Sequence, residues 1–437
     1  MSLRAPRQEM APARRRRHGA IAGALLLATG LLVTAFGIPA QSSGAATADG
    51  AKVTSITMNS AKAYTPHAPN GGTDDYHCTL VNPHVEHNSF IVSSQFTPGT
   101  GAATKEVHHE ITFLVPPSAV PQVEALNVSD KGWSCFGESP FPTLSLASLT
   151  ETPWLSAWAP GHGKDVLPVS TGTPLPAHSL VIMQVHYNLL EGDKPVKVGV
   201  KLDTVPASTH LRPLTLTPYP APINMPCPAD EAANLTAYPL CARSASLNYL
   251  SQRFGAGAVV FQNVLELLCG ESTTSPPEGD SVTCTQQIRT PGYIVRTTAH
   301  MHLLGRSMTM VVNPGTPQAT TVLDVKNYDF NYQRSYDLKK WVKVVPGDTV
   351  QFTCTYDPTL AQELPALRKA PPHFVTWGDG SSDEMCLGLM QTVPLNPHAT
   401  VDWAAIGSGH HFGGQGSHAD FTGHPGSSPA ATPTTGA

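Results

Sequence analysis

The 437-residue chain is long enough for two or three domains that each bury a core, and two is the working expectation. Charged residues make up only 14%, and setting aside residues 1–40 removes six arginines and Glu9, leaving 21 basic against 31 acidic residues and a net charge of -10, which excludes a nucleic-acid partner. With 41 prolines, 36 glycines and no long stretch of apolar residues at helical spacing, the composition predicts an all-β protein of short strands and turns.

Residues 1–40 read as an export signal: Arg14 to Arg17, an apolar run from Gly19 to Phe36, then small residues near Ala40. The run is just long enough to cross a bilayer, so an uncleaved membrane anchor is the alternative. Either way the bulk of the chain lies outside the cytoplasm, secreted or anchored. Eight cysteines in an exported chain read as disulfides rather than thiolate metal ligands.

Strand-like runs then fall into two clusters. Ser89 to Thr97, Glu106 to Pro116, Leu180 to Leu190 and Val196 to Asp203 define a first domain at 50–205. Tyr293 to Leu304, Ser307 to Asn313, Asp348 to Tyr356 and Met385 to Val393 define a second at 245–400. Each is expected to be a β-sandwich. Between them, 206–244 contains the proline- and alanine-rich stretch Pro218 to Pro239 and reads as a linker or elaborated loop rather than a core strand. Residues 401–437 read as a flexible tail, Gly/Ser/Pro-rich from Ser408, in which His410, His411, His418 and His424 are incidental or serve copper loading.

No nucleophile elbow, phosphate loop or dinucleotide fingerprint occurs, so the candidate chemistry is that of metals. His300 and His302, two apart in a strand-like run, project from one face and could grip one ion, although an isolated pair of this kind is as readily two hydrogen-bonded histidines. His108 and His109 are neighbours and share a metal only if the strand is irregular there. His186, in an apolar strand with Gln184 on its face, reads alone as a hydrogen-bonded core residue. Met385 offers a soft thioether that favours copper, or else is core filler, and its neighbours Asp383 and Glu384 orient an imidazole or sit in solvent.

Taken in chain order, Val107-His108-His109, Gln184-Val185-His186-Tyr187, His300-Met301-His302-Leu303-Leu304-Gly305 and Ser382-Asp383-Glu384-Met385-Cys386 resemble the ligand motifs of the copper type II, ascorbate-dependent monooxygenases. That family includes peptidylglycine α-hydroxylating monooxygenase and dopamine β-monooxygenase, and the resemblance runs from about 75 to 395. It implies two jelly-roll-like antiparallel β-sandwich domains facing each other across an open solvent cleft. His108, His109 and His186 would hold an electron-storing copper in the first domain, and His300, His302 and Met385 an oxygen-binding copper in the second. The implied reaction hydroxylates a C–H bond of a small organic substrate with O2 and two electrons from ascorbate or a similar donor, the second crossing the cleft. Tyr76 and Gln184, beside the first ligand set, are expected to support it or carry electrons.

The resemblance also pairs Cys78 with Cys135, and Cys354 with Cys386 beside the methionine; Cys227 with Cys241 and Cys269 with Cys284 are local choices among several. Departures from the family pattern matter too. Where the peptide-amidating branch grips a substrate carboxylate with Arg, Asn and Tyr, this chain has Thr298, Leu387 and Leu389, and Arg296 lies two residues too early. These departures argue against peptidylglycine amidation, and those three positions become candidate contacts to a less polar substrate. The rival function is a copper-binding or electron-transfer protein that keeps the ligands without turnover.

Overall fold

The computed structural model describes residues 51–406, apart from 61, 69–71, 101–103, 116, 129–130 and 136–153. The export-signal and anchor readings and the four tail histidines lie outside the described residues. Among those described, no helix is long and apolar enough to cross a membrane.

Two pairs of largely antiparallel sheets account for most of the described chain. In the first pair, a six-stranded sheet runs in the order Thr54–Asn59, Gly199–Pro206, Ser89–Thr97, Thr171–Leu175, Arg212–Pro213, with Asp165–Val166 added against Ser89–Thr97. Its partner is a five-stranded sheet in the order Trp133–Ser134, Asp74–Val81, Val181–Asn188, Val107–Leu114, Trp154–Trp158. The second pair consists of Thr215–Ala221, Cys386–Val393, Gly292–His300, Ser335–Val344 in one sheet and Ser281–Gln287, Thr349–Tyr356, Gly305–Val312, Thr320–Val325 in the other.

The five-stranded sheet is covered on both faces, and this decides where the site can be. Val181, Met183, Val185 and Tyr187 alternate toward a core shared with Ile91 and Leu202 of the six-stranded sheet. Ile182, Ile111, Phe113 and Tyr76 face the other way and join the core of the second pair of sheets. Every residue of Val107–Leu114 and of Val181–Asn188 is consequently buried. An antiparallel strand normally leaves one face wet; here the even-numbered positions 184 and 186 are also shut away from water.

The four disulfides are Cys78–Cys135, Cys227–Cys241, Cys269–Cys284 and Cys354–Cys386. The last ties the two sheets of the second pair together one residue after Met385. Four disulfides fit an oxidising, extracytoplasmic compartment.

Three expectations need correction. The 206–244 stretch is not a linker: Thr215–Ala221 is a strand paired along its length with Cys386–Val393, and Tyr219 and Ala221 are wholly buried. Pro218 and Pro220 are tolerated because this is the edge strand of its sheet, where a missing N–H breaks no second ladder. The chain is not free of longer helices either, since Arg243–Phe254 and Ala256–Leu268 form consecutive helices packed on each other. Lastly, the tail starts later than 401, because Ile406 is buried and the Trp403 ring lies edge-on to Phe90 with centroids 5.4 Å apart.

Candidate metal centre

His108 and His109 reach one place through a β-bulge. The ladder between Val107–Leu114 and Val181–Asn188 pairs Val107 with Tyr187 and then His109 with His186, so His108 is the extra residue that has no partner across the ladder. The bulge turns both neighbours toward the face that carries His186. Potential ligand atoms of His108, His109 and His186 all lie within 4.8 Å of one another. His108 Nδ1 and His186 Nδ1 are 2.8 Å apart, closer than two lone pairs tolerate without a proton or cation between them.

Each ring is aimed by a neighbour. His186 Nε2 donates to Asp74 at 2.9 Å, and the ring stacks on Tyr76 with centroids 4.0 Å apart. His109 Nε2 lies 3.4 Å from the Tyr76 hydroxyl, which leaves His109 Nδ1 buried with no hydrogen-bond partner. His108 stacks on Phe330 with centroids 4.4 Å apart, and its Nε2 is likewise buried without a hydrogen-bond partner. Gln184, fully buried on the His186 face, places its amide 3.7 Å from Cys135 Sγ.

The second group forms where Gly292–His300 ends. His300 closes the strand, with Leu387 opposite it, so its face continues along Cys386–Val393 toward Met385. His302 lies two residues past the strand, its ring perpendicular to that of His300 with centroids 5.4 Å apart. His300 Nδ1 is fixed by Gln333 at 2.7 Å and His302 Nδ1 by the Asp383 carbonyl at 3.1 Å. His302 Nε2 is left buried without a hydrogen-bond partner. Glu384 locks the backbone around the pair, its carboxylate accepting the N–H groups of His302, Leu304 and Met385 at 2.9, 2.6 and 3.2 Å. Asp383 and Glu384 are both buried, not solvated. Met385 and His300 line the same cavity.

Gly305 explains the end of the His-Met-His-Leu-Leu-Gly motif. A Cβ there would sit 2.7 Å from Met301 Cβ and 3.1 Å from Tyr328 Cδ1, while the Tyr328 hydroxyl bonds both the N–H and the carbonyl of Met301. Gly305→Ala should therefore lower stability in a denaturant titration by about 1–3 kcal/mol and disturb the placement of His300 and His302. An alanine variant with an unchanged midpoint would refute this account of the motif.

The two groups are in contact rather than separated by an open gap. The His108 ring centroid is 5.7 Å from that of His302 and 6.2 Å from that of His300, and His109 is 5.8 Å from His300. Burial holds the rings in the neutral form that can donate a lone pair. It lowers His108 and His109 well below the usual imidazole value, His300 to about 4 and His302 to about 3.

A mainly apolar cavity of about 100 Å³ adjoins both groups, and His109, His300 and Met385 are on its wall. Thr298, Leu387 and Leu389 line it, as do Trp154 and Trp158, which nothing in the sequence singled out. Arg296 is not on its wall; its guanidinium is spent on Asp165 and Asp337. Other supports invisible to motif reading are Asp74, Gln333 and Phe330, which carry no spacing signal because they come from distant segments.

Comparison with known proteins bears on these residues. A model of the C-terminal domain of the copper type II ascorbate-dependent monooxygenases matches residues 277–391, which include His300, His302 and Met385. DBH-like monooxygenase protein 2 of Mus musculus is 35% identical over 96 residues, 22% of this chain, and the matched stretch spans 14% of that protein's length. Among solved structures, the major capsid protein P2 of bacteriophage PM2 aligns with a TM-score of 0.28 and 6% identity, over 78% of this chain and 97% of that one. The STIV MCP aligns with a TM-score of 0.28 and 7% identity, over 79% and 98%. Neither structural likeness is near enough to carry an argument.

Proposed function

Because residues 277–391 match the C-terminal domain of the copper type II ascorbate-dependent monooxygenase family, we propose that the chain is a member of that family and a two-copper monooxygenase acting outside the cytoplasm. It hydroxylates a C–H bond of a small, mainly apolar organic molecule, with O2 and a one-electron donor of the ascorbate type. Its two pairs of sheets act as two jelly-roll-like units, with the cavity at the junction of their facing surfaces receiving the substrate.

The observation that carries this reading is the donor set itself: four buried histidines and the half-buried His300 gathered in one place and held by neighbours, with unpaired ring nitrogens on His108, His109 and His302 and a methionine at the wall of an apolar cavity. Buried polar atoms without partners are costly unless a ligand satisfies them. Imidazole and thioether donors suit copper. His108, His109 and His186 would hold one ion and His300, His302 and Met385 the other. Copper, when bound, supplies one-electron transfer and a place for O2 to react. The protein's own share is orientation and dryness: Asp74, Gln333 and the Asp383 carbonyl set ring directions, and Leu387, Leu389, Trp154 and Trp158 exclude water from the substrate.

Metal analysis tests the proposal directly. The full chain with His410, His411, His418 and His424 replaced by alanine should bind two coppers, and a content near zero after loading would overturn the reading. Oxygen uptake with ascorbate across a panel of apolar small molecules should then yield a hydroxylated product. Copper-dependent uptake with no product would instead indicate the electron-transfer protein.

A further inference from the structure

One buried carboxylate joins the three-histidine group to the turn that leads into Met385. Asp74 Oδ1 accepts from His186 Nε2 at 2.9 Å, and also from the Ser381 N–H at 2.9 Å and the Ser381 hydroxyl at 2.8 Å. Its Oδ2 accepts from Thr73. Two residues along the same strand face, the Tyr76 hydroxyl donates to the Asp379 carbonyl at 2.9 Å. The five-stranded sheet thus grips the turn that leads into Met385.

That turn is itself closed. The Asp383 N–H bonds the Gly380 carbonyl at 2.8 Å, the Gly380 N–H bonds the Asp383 carboxylate at 3.2 Å, and Arg253 pairs with Asp383 at 2.6 Å. Beyond it, the Asp383 carbonyl orients His302 and the Glu384 carboxylate holds the backbone of both His302 and Met385. Hydrogen bonds joined by the short backbone segment 381–383 therefore connect His186, through Asp74 and Ser381, to His302.

We propose that Asp74 is a positioning residue that ties the Asp379–Met385 segment to the three-histidine group, fixing both the direction of the His186 ring and the separation of the two metal sites. The proposal rests on the copper reading for its metal-to-metal consequence, but the tie is a property of the polypeptide. A carboxylate suits the task because it accepts from four donors while carrying charge that strengthens each bond. A plain brace would stiffen the fold without setting a distance, and the two roles separate experimentally.

Asp74→Asn keeps size and one acceptor oxygen but loses the charge. In the copper-loaded chain, the Cu(II)–Cu(II) dipolar coupling read by electron paramagnetic resonance should weaken, reporting a longer separation, with both coppers retained. The double variant Ser381→Ala/Tyr76→Phe leaves the Asp74–His186 bond intact and should weaken the coupling in the same direction, which guards against loss of the first copper in Asp74→Asn. Unchanged coupling in both variants at full loading overturns the proposal. In the metal-free chain, amide exchange over 380–385 should rise by about tenfold or more in Asp74→Asn, the effect of losing a charge-assisted bond. Unchanged exchange there overturns the tie as well. A wild-type chain that binds no copper but loses this protection on substitution supports the tie and defeats only the copper reading.

Discussion

Alanine at position 385 is expected to abolish hydroxylation while the three-histidine group still takes up copper and accepts one electron. Met385 is buried, and its backbone is fixed on every side: its N–H is held by Glu384, its carbonyl by the Tyr356 hydroxyl, and the next residue by the Cys354–Cys386 bridge. Truncation therefore removes the thioether and leaves the chain path in place. Changing a residue that merely supports a metal ligand costs roughly 10–100-fold in metal affinity or activity, so loss of a ligand should exceed about 100-fold in turnover. Some stability is lost with the buried side chain, about 2–5 kcal/mol at most, and a melting curve separates that effect. Single-turnover reduction followed by product analysis is the measurement. His108→Ala is the mirror case, in which stoichiometric reduction of the three-histidine site fails first. Normal product formation in either variant would reverse the assignment of roles.

What made this site legible is that its donors are chemically unusual residues in short local motifs. His300 and His302 advertise themselves by spacing, and the bulge needed for His108 and His109 to converge follows from the alternation of a strand. The supports do not advertise themselves. Asp74 and Ser381 are 307 residues apart, and His300 and Gln333 are 33 apart on different strands or loops, so only the fold shows that they meet. Nor could sequence show that the two histidine groups touch, because this depends on how the 379–384 turn is seated on the five-stranded sheet.

The strands were legible for a similar reason. Ser89–Thr97 and Cys386–Val393 present continuous or alternating apolar patterns bounded by turn residues. The Ala256–Leu268 helix was hidden because its polarity is inverted. Gln262 and Glu266 are buried beside Leu265, while Val260 and Leu267 are exposed. Its polar face is the inner one because Gln262 donates to the Ile223 carbonyl and Glu266 pairs with Arg243. The proline-bearing strand Thr215–Ala221 was hidden by composition, since proline argues against a strand everywhere except at an edge.

Arg253, carried by the first of the two unforeseen helices, is where the fold and the site meet energetically. It is 3% exposed and its guanidinium pairs at 2.6 Å with the equally buried Asp383. Arg253→Ala should lower stability by about 3–5 kcal/mol, because the buried carboxylate left behind loses its closest cationic partner and keeps only His373 at 3.5 Å and the Gly380 N–H. Burial alone would raise Asp383, yet Arg253 and His373 outweigh it and hold that carboxyl below the usual carboxylate range. The repulsive charge can be removed without restoring the pair. Arg253→Ala/Asp383→Asn should recover part of the loss in a denaturant titration, whereas additive losses would show that Arg253 acts by packing on Tyr249 and Phe254 instead. The single variant should also release copper from His300, His302 and Met385 before the three-histidine group loses its own, since the Asp383 carbonyl that aims His302 is held by the same turn. Equal loss from both sites would mean that the turn does not act on the methionine site in particular.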